Sequence, residues 1–398
     1  MRASTAIKKL SMATATVALT ALGTAGSAAA ISLYSITDLG TLGGAYSVAN
    51  DINNKGQIVG TSWRPIFPDE RPFLWQNGTM TDLDLIANPF SKAGEAWSIN
   101  DKGDIVGWRS GANYLNRFIS INSANMPGMS FRFRPLPYVT DINNAGQMIV
   151  RDDYFISYSN FLWDNNRLTP LISIAGQHKF TVSDINDAGH VIGNVVSTLP
   201  DRGFLCDKGI TYLNPPGGYT PPPGYTVPAV LCNNQPITYL DFSPSKINNA
   251  GQIIGSSVLW DKGKTTNLGS LGGSTQARDI NENGAVVGSS WTSSGAERAF
   301  LWENDIMVDL NNLLPQNFGW ELIQARGIND LGQIVGAGRF NGQTRAFLIN
   351  PIPGSVWTPP NSGSGSSPNT GSQRVPEPAS LLGLLAFGVF GIAMHKRQ

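Results

Sequence analysis

One phrase recurs seven times along the chain and constrains the fold more than any other feature. It consists of Asp-Ile-Asn, a glycine turn and a β-branched run, and its first copy is DINNKGQIVG, from Asp51 to Gly60. Self-similarity at periods of about 20–50 residues is typical of solenoids, propellers and related arrays. The 398-residue chain is therefore expected to form one repeat array rather than two or three unrelated domains. The asparagine at the third position of the phrase is Asn53, Asn100, Asn143, Asn186, Asn248, Asn281 and Asn329.

A second phrase alternates with the first: an aromatic-apolar run, a polar turn and another short run. Both phrases place Asn, Asp or Gly where a tight hairpin turn needs left-handed backbone. Two hairpins give four short strands per unit, and residues 31–350 supply about 46 residues per unit, the size of a propeller blade. The sequence therefore predicts an all-β fold, a β-propeller of about seven four-stranded blades within residues 31–351, with six or eight blades left open. The second phrase occupies 71–83, 160–171, 203–213, 258–268, 298–310 and 345–351, and more weakly 116–121.

The ends of the repeat region predict a closed ring. Residues 37–53 resemble residues 266–281, so the region begins with a fourth strand, from Tyr34 to Leu39. The last unit stops after its third strand, at Pro351. The N-terminal strand is therefore expected to complete the last blade, which would remove an exposed sheet edge.

The aromatic strands, such as Ala299-Phe300-Leu301-Trp302 and Ala346-Phe347-Leu348, resemble those of the HAF-type extracellular repeat family. The resemblance spans nearly all of residues 37–350. It implies an exported protein, and it brings no established reaction and no catalytic residues. The tryptophans at the end of this phrase, Trp75, Trp163, Trp260 and Trp302, are expected to pack in the core, with sugar stacking as the alternative.

One stretch, residues 214–229, is rich in Pro, Gly and Tyr and interrupts the repeats. Residues 230–240 then resemble 204–213, which predicts an extra hairpin between the fourth and fifth units. Tyr219 and Tyr225 would offer rigid stacking faces to a ligand, and the alternative is a disordered excursion. Cys206 and Cys232 occupy the same position in the two similar phrases, so we expect a disulfide between them, with two separate buried thiols as the alternative.

The N-terminal residues 1–30 have the three parts of a secretory signal peptide. Arg2, Lys8 and Lys9 precede a short apolar stretch, and Ala28 and Ala30 offer a small-residue cleavage site. The alternative is an N-terminal membrane anchor, for which the apolar stretch is short. The sequence therefore predicts an exported chain that uses the general secretion machinery.

The C-terminal residues also have three parts. Residues 352–374 form a flexible Pro/Gly/Ser linker, and residues 375–398 contain Pro376-Glu377-Pro378, an apolar segment at 381–394 and a basic end. This order resembles the PEP-CTERM sorting signal of exported bacterial proteins, and the alternative is an ordinary single-span anchor. The resemblance implies processing by an exosortase-type membrane protease. The protein would be anchored transiently by a transmembrane helix and then reach the cell surface or the extracellular space.

Composition and motifs limit the classes of function that the chain can have. Lys+Arg 28 balances Asp+Glu 28, whereas a nucleic-acid binder would carry a basic surplus. Three His and two Cys argue against a zinc site, and no cofactor is indicated. Asp-x-Asn-x-x-Gly resembles the start of a calcium loop, but its fifth position holds Lys, Ala or Leu in six copies, so we expect a structural turn and no metal ligands.

No motif of a known nucleophile, metalloprotease or phosphate-binding loop occurs in the sequence, so no catalytic residue is predicted. His190 stands where other repeats have Gln and is expected to be a variant turn residue. We predict a non-enzymatic, surface-sorted binding or structural protein that contacts extracellular polysaccharide or matrix. The alternative is an exported polysaccharide hydrolase or lyase on the same fold, and a third option is a metal-binding module.

Overall fold

The computed structural model describes residues 33–65, 70–83, 93–110, 115–119, 138–152, 159–164, 167–174, 180–195, 202–206, 210–212, 229–231, 237–315 and 319–356. These residues belong to a compact unit that spans 1–358. They form seven β-sheets and one 3-10 helix, Leu310–Leu313. The predicted linker and tail, and the signal peptide, lie outside the described residues, except for positions 352–356 of the linker.

The strands group into successive blades along the chain. The chain begins with β1 (Tyr34–Asp38) and continues into blade 1 with β2 (Ser47–Ile52), β3 (Ile58–Trp63), β4 (Glu70–Gln76) and β5 (Thr79–Asp82). Blade 2 contains β6 (Ala93–Ile99), β7 (Ile105–Ser110) and β8 (Leu115–Ile119). Blade 3 contains β9 (Tyr138–Ile142), β10 (Met148–Asp152), β11 (Ser159–Asp164) and β12 (Arg167–Ile174).

Blade 4 begins with β13 (Phe180–Ile185), β14 (Val191–Val195) and β15 (Arg202–Cys206); β16 (Ile210–Tyr212) and β17 (Ala229–Leu231) come next, and β18 (Ile237–Leu240) completes it. Blade 5 contains β19 (Lys246–Ile247), β20 (Ile253–Ile254), β21 (Val258–Asp261) and β22 (Lys264–Asn267). Blade 6 contains β23 (Gly272–Ile280), β24 (Val286–Thr292), β25 (Glu297–Glu303) and β26 (Ile306–Asp309). Blade 7 contains β27 (Trp320–Ile328), β28 (Ile334–Phe340) and β29 (Gln343–Pro351).

The seven sheets form a closed ring, which confirms the predicted propeller. The first strand of each blade contacts the first strand of the next, in the order β2, β6, β9, β13, β19, β23, β27 and back to β2. These first strands therefore surround a central channel, and the later strands of each blade lie progressively farther out.

The predicted closing strand is also confirmed. Strand β1 pairs antiparallel with β29, from Tyr34 opposite Pro351 to Asp38 opposite Phe347. The Leu39 amide extends the pairing with a hydrogen bond of 3.1 Å to the Ala346 carbonyl. Tyr34 is buried in the core cluster that blades 6 and 7 share. The two ends of the repeat region therefore complete one blade together, and the β29 edge is covered.

Glycine explains two features of the first phrase. All seven turn glycines, Gly56 among them, have positive φ between 72° and 87°, a region where other residues are strained. The last glycine of the phrase has a different reason. A Cβ at Gly60 would lie 2.0 Å from the Val48 carbonyl oxygen and 2.9 Å from the Phe73 ring. This close approach, at a β-bulge of the first strand, lets the phenylalanine of the aromatic phrase pack over the strand.

The aromatic phrase supplies much of the core, as predicted. Phe73, Phe204, Phe300 and Phe347 occupy equivalent positions and are fully buried. The four tryptophans at the end of the phrase also pack inward: Trp163 and Trp302 are buried, and Trp75 and Trp260 pack against buried clusters. The repeated positions therefore hold blades together through apolar burial.

The insertion lies at a different place from the one predicted. The predicted position was between two units, but β16 and β17 leave blade 4 between its third and fourth strands, β15 and β18. Strand β17 then pairs in parallel with β12 and extends the outer edge of blade 3 to six strands. The sequence similarity was misleading because each copy of the phrase contributes one strand to blade 4 and one to the added hairpin.

Candidate functional site

The central channel has two ends that differ in chemistry. Each first strand runs toward its Asp-Ile-Asn turn, and we call that end the turn mouth. The opposite end, where the first strands begin, is the loop mouth. The same seven strands build both ends, so their side chains can be compared directly.

A ring of asparagines closes the turn mouth. The Asn53 side-chain amide donates to the Asn100 carbonyl oxygen of the next blade at 2.9 Å, and each of the other six asparagines repeats this bond, back to Asn329 donating to Asn53. The same side chain caps its own turn, since the Asn53 oxygen accepts from the amides of Lys55 and Gln57. The third residue of the phrase thus stabilises both its turn and the contact between blades.

A second ring lies just outside the first. Each backbone amide at the position after the ring asparagine donates to the side-chain oxygen at the same position in the next blade, at 2.7–3.1 Å. Four acidic and three amide side chains alternate imperfectly in this ring, and amide nitrogens such as that of Asn54 donate to neighbouring carboxylates. The members are Asn54, Asp101, Asn144, Asp187, Asn249, Glu282 and Asp330.

A third ring lies deeper and contains four aspartates and one lysine. Asp51 accepts from the amide of its own Ile52 and, through its other oxygen, from the amide of Ile99 in blade 2, both at 2.8 Å. Asp184 and Asp279 bridge their neighbouring blades in the same way. The first residue of the phrase therefore crosslinks blades through backbone amides. The ring positions are Asp51, Ser98, Asp141, Asp184, Lys246, Asp279 and Gly327.

Lys246 supplies the only positive charge among these ring positions. Its ammonium group contacts Asp141, which also accepts a hydrogen bond from the Ser98 hydroxyl. Burial raises the pKa of Asp279 to about 7, against the opposing charge of Lys246. Burial likewise raises the pKa of Asp51 to about 6. Burial acts on Asp141 in the same direction, but the charge and hydrogen bond of Lys246 outweigh it and lower the Asp141 pKa.

The turn mouth is a structural joint. The channel there encloses a cavity of about 170 Å³, below the roughly 300–1,000 Å³ of typical ligand pockets. Its carboxylates are occupied with amides of adjacent blades, and no group of three acidic, His or Cys side chains in the described part of the chain has metal-binding geometry. His190 fills a glutamine position in this joint, with its Nδ1 3.2 Å from the Asn186 amide nitrogen, as a variant turn residue would.

The loop mouth carries charged groups that occur in single blades rather than in all of them. Glu70, at the start of β4, lies near Glu95 of β6. Burial first, and then the charge of Glu95, raises the pKa of Glu70. Burial also raises the pKa of Tyr46, with the charge of Arg326 opposing it. A half-buried group of acidic, basic and phenolic side chains therefore converges here.

Two arginines lie on the first strands of adjacent blades, Arg278 in blade 6 and Arg326 in blade 7. Arg326 donates to Asn50 at 2.9 Å and to Gln324 at 2.8 Å. Arg278 is close enough to Arg326 that its charge, after burial, lowers the Arg326 pKa. Burial lowers the pKa of Arg278 as well, and Glu297 opposes that shift. Each arginine stands at the residue before the third-ring position of its strand, where the backbone bulges.

Aromatic side chains border the same end. Trp63 and Tyr46 pack together with ring centroids 4.9 Å apart and ring planes tilted by 33°. Trp291 stands at the corresponding position of blade 6, where the strand beside it begins with Gly272 and Gly273, and it is 45% exposed. The loop mouth thus combines uncovered aromatic surface with buried charge.

The predicted site residues have mixed outcomes. Cys206 is buried and disulfide-bonded; its predicted partner, Cys232, lies outside the described residues. Tyr219, Tyr225, the cleavage-site residues Ala28 and Ala30, and the sorting residues Pro376, Glu377 and Pro378 also lie outside them. In the part of the chain that is described, no helix is long and apolar enough to cross a membrane, and the expected segment 381–394 is not in that part.

Sequence reasoning missed the loop mouth entirely. A usable signal existed in the residue that precedes the first position of the phrase, which varies from blade to blade. This column reads Asn50, Trp97, Thr140, Ser183, Ser245, Arg278 and Arg326. A variable column on strands that line the channel is a better guide to function than the repeated one.

Comparison with known proteins identifies the tail. A family model described as the PEP-CTERM protein-sorting motif matches residues 374–398. This motif indicates an exported, surface-sorted protein, and exosortase sorts proteins that carry it. The HAF-type resemblance of the repeats stays a prediction, and no curated protein matches the chain.

Solved structures show only weak similarity. A gluconolactonase from Xanthomonas campestris is 8% identical, with 81% of this chain and 91% of that chain covered and a TM-score of 0.36. The β-propeller domain of the Trilobed protease from Pyrococcus furiosus is 9% identical, with 77% and 83% covered and a TM-score of 0.26. The propeller assignment therefore rests on the strand pairing described above.

Proposed function

We propose that this protein is a cell-surface binding module whose propeller contacts extracellular polysaccharide or matrix through the loop mouth. The observation that carries the proposal is the convergence there of Tyr46, Glu70, Glu95, Arg278 and Arg326 beside an exposed tryptophan. Such polar groups fix a ligand's orientation and aromatic faces supply contact area. The sorting motif supports the proposal because it directs the protein to the surface where such ligands occur.

The experiment is a binding assay with the purified full chain and extracellular polysaccharide from the cells that produce it. We expect retention on the immobilised polysaccharide and no release of new reducing ends. A matched pair of variants locates the site: E95Q at the loop mouth should weaken retention, and E282Q at the turn mouth should not. Retention that neither substitution changes would show that ligand contact occurs elsewhere.

The second candidate function is a polysaccharide hydrolase or lyase, and the Glu70–Glu95 pair favours it. Glycosidases use a pair of carboxyl groups, about 5–5.5 Å apart in retaining enzymes and about 6.5–9.5 Å apart in inverting ones. The raised pKa of Glu70 beside Glu95 suits the acid of such a pair. New reducing ends or unsaturated sugar ends that disappear in E70Q would establish catalysis instead of binding.

For the termini, we propose that the signal peptide is removed after Ala30 and that an exosortase-type protease processes the tail after export. The Cys206–Cys232 bond and ligand contact by Tyr219 and Tyr225 are further proposals. Intact mass of the mature protein tests the processing, because a mass that includes Met1 or residues 381–398 contradicts it. Substitution of both tyrosines by alanine tests the loop, and unchanged retention would make the insertion a spacer.

A further inference from the structure

Arg278 differs from the other charged groups of the loop mouth in how little it binds. Its one hydrogen bond within the described residues is a long one, 3.4 Å from a terminal nitrogen to the Gln276 side chain. Its Nε is buried and has no partner among the described residues. Arg326, by contrast, donates three hydrogen bonds to Gln324 and Asn50. A half-buried guanidinium whose buried Nε has no partner is costly to fold, so a partner from outside the chain is the natural completion.

The surroundings determine what that partner can be. Glu297, the carboxylate whose charge acts on Arg278, accepts from the Gln324 side chain at 3.0 Å and forms no hydrogen bond with Arg278 in the described structure. Arg326 is close enough to add a second positive charge. Guanidinium donors form a planar fork that matches a carboxylate with two parallel hydrogen bonds. The pair of arginines therefore favours an anionic, planar acceptor group.

Trp291 supplies the second half of the site. It stands opposite Glu297 in the β24–β25 pairing, and Glu297 is also the carboxylate whose charge acts on Arg278. Its neighbour on the inner strand is Gly273, where even a Cβ would lie 2.9 Å from the Trp291 Cβ. The Trp291 side chain is 45% exposed, while the equivalent Trp63 packs against Tyr46. An open indole face suits the apolar face of a sugar ring.

We propose that Arg278 binds the carboxylate of a uronic acid residue in an acidic polysaccharide, with Trp291 contacting a sugar ring of the same chain. This inference rests on the proposed function and names its ligand class. A sulfated polysaccharide shares the anionic chemistry, and a comparison of alginate with dextran sulfate distinguishes the two.

The test measures retention of the full chain in affinity gels that contain alginate, dextran sulfate or neutral dextran. We expect binding to alginate to exceed binding to dextran by about tenfold or more, as for a charge-assisted bidentate contact. R278A should remove that preference, and R278K should restore only part of it. R339A is the matched control, because Arg339 is at the same mouth with a side chain 65% exposed and should leave binding unchanged.

The outcomes separate the two proposals. No binding to any of the three polysaccharides, nor to native matrix, overturns the proposed function. Equal binding of alginate by wild type and R278A, or equal binding of dextran and alginate, overturns the uronate site and leaves the general binding role intact. If dextran sulfate and alginate bind equally and both are released by salt, the contact is non-specific charge attraction and the uronate site is overturned. A thermal melt of R278A that is no lower than that of wild type excludes misfolding as the reason for lost binding.

Discussion

The same seven strands build both mouths of the channel. Only at the turn mouth do the repeated polar side chains form their hydrogen bonds within the chain. At the turn mouth, each repeated Asp and Asn binds the backbone of the adjacent blade. At the loop mouth, charged side chains occur once each, and the buried Nε of Arg278 has no partner among the described residues. The difference teaches that repetition in a propeller marks what holds the blades together, while departures from it mark what is free to bind.

The largest effect is expected from N329A in the turn mouth. Asn329 donates to Asn53 and Gln333 and accepts from the amides of Leu331 and Gln333, all at the junction of the last and first blades. Its loss should lower the free energy of unfolding by about 3 kcal/mol, since several buried groups lose partners. Chemical denaturation measures this. Q324A at the loop mouth is the control, and an equal loss there would remove the distinction between the mouths.

The next effect is expected from K246M. Methionine keeps much of the side-chain volume but removes the positive charge of Lys246. Asp141 contacts that charge, and the other three aspartates interact with it electrostatically. Removing one partner of a buried ion pair leaves an uncompensated charge, so we expect a loss of about 2 to 3 kcal/mol. K264M, at an exposed position of β22, should be neutral. A K246M protein as stable as wild type would mean that the aspartates need no counter-charge.

A smaller effect should appear as pH dependence of the turn mouth. Asp279, with its pKa raised to about 7, binds a proton in the folded state that it does not bind unfolded near pH 5–6. Its contribution to stability is therefore complete below about pH 4 and is lost as the pH rises through 7. We expect D279N to reduce the stability difference between pH 5 and pH 8 by about 1–2 kcal/mol. D305N, in an exposed turn, should retain the full wild-type slope.

The smallest effect is expected at the loop mouth. W291A should change the free energy of unfolding by no more than about 0.5 kcal/mol, because nearly half of the side chain is exposed. W63A removes a ring that packs against Tyr46 and should cost about 1 kcal/mol more. Thermal melts of the two variants give the comparison. A larger loss in W291A than in W63A would indicate that blade 6 depends on this indole for packing.

The sequence predicts the propeller, the turns and the closing strand because each depends on a local pattern that recurs. Gly56 and its equivalents mark the turns, and the match between 37–53 and 266–281 indicates the phase of the ring. The crosslinks made by Asp51 and Asn53 could not be predicted, because spacing along the chain does not show which amides of the next blade lie opposite. The insertion was misplaced for the same reason: strand pairing, unlike similarity, is set in three dimensions.

The arginines were missed for another reason. Arg278 stands at a position that varies from repeat to repeat, so no recurring pattern draws attention to it. Only the closed ring brings it near Arg326 and Glu297. Where a chain repeats, comparison of equivalent columns in its sequence separates the residues that join the units from those that are free to vary.

The pairing of β1 with β29 also brings together residues from the two ends of the repeat region. In a chain exported from its N-terminus, Tyr34 would cross the membrane early and its partner Pro351 late, so blade 7 could form only after nearly the whole repeat region had crossed. The last blade would then be completed just before the sorting motif at 374–398 follows.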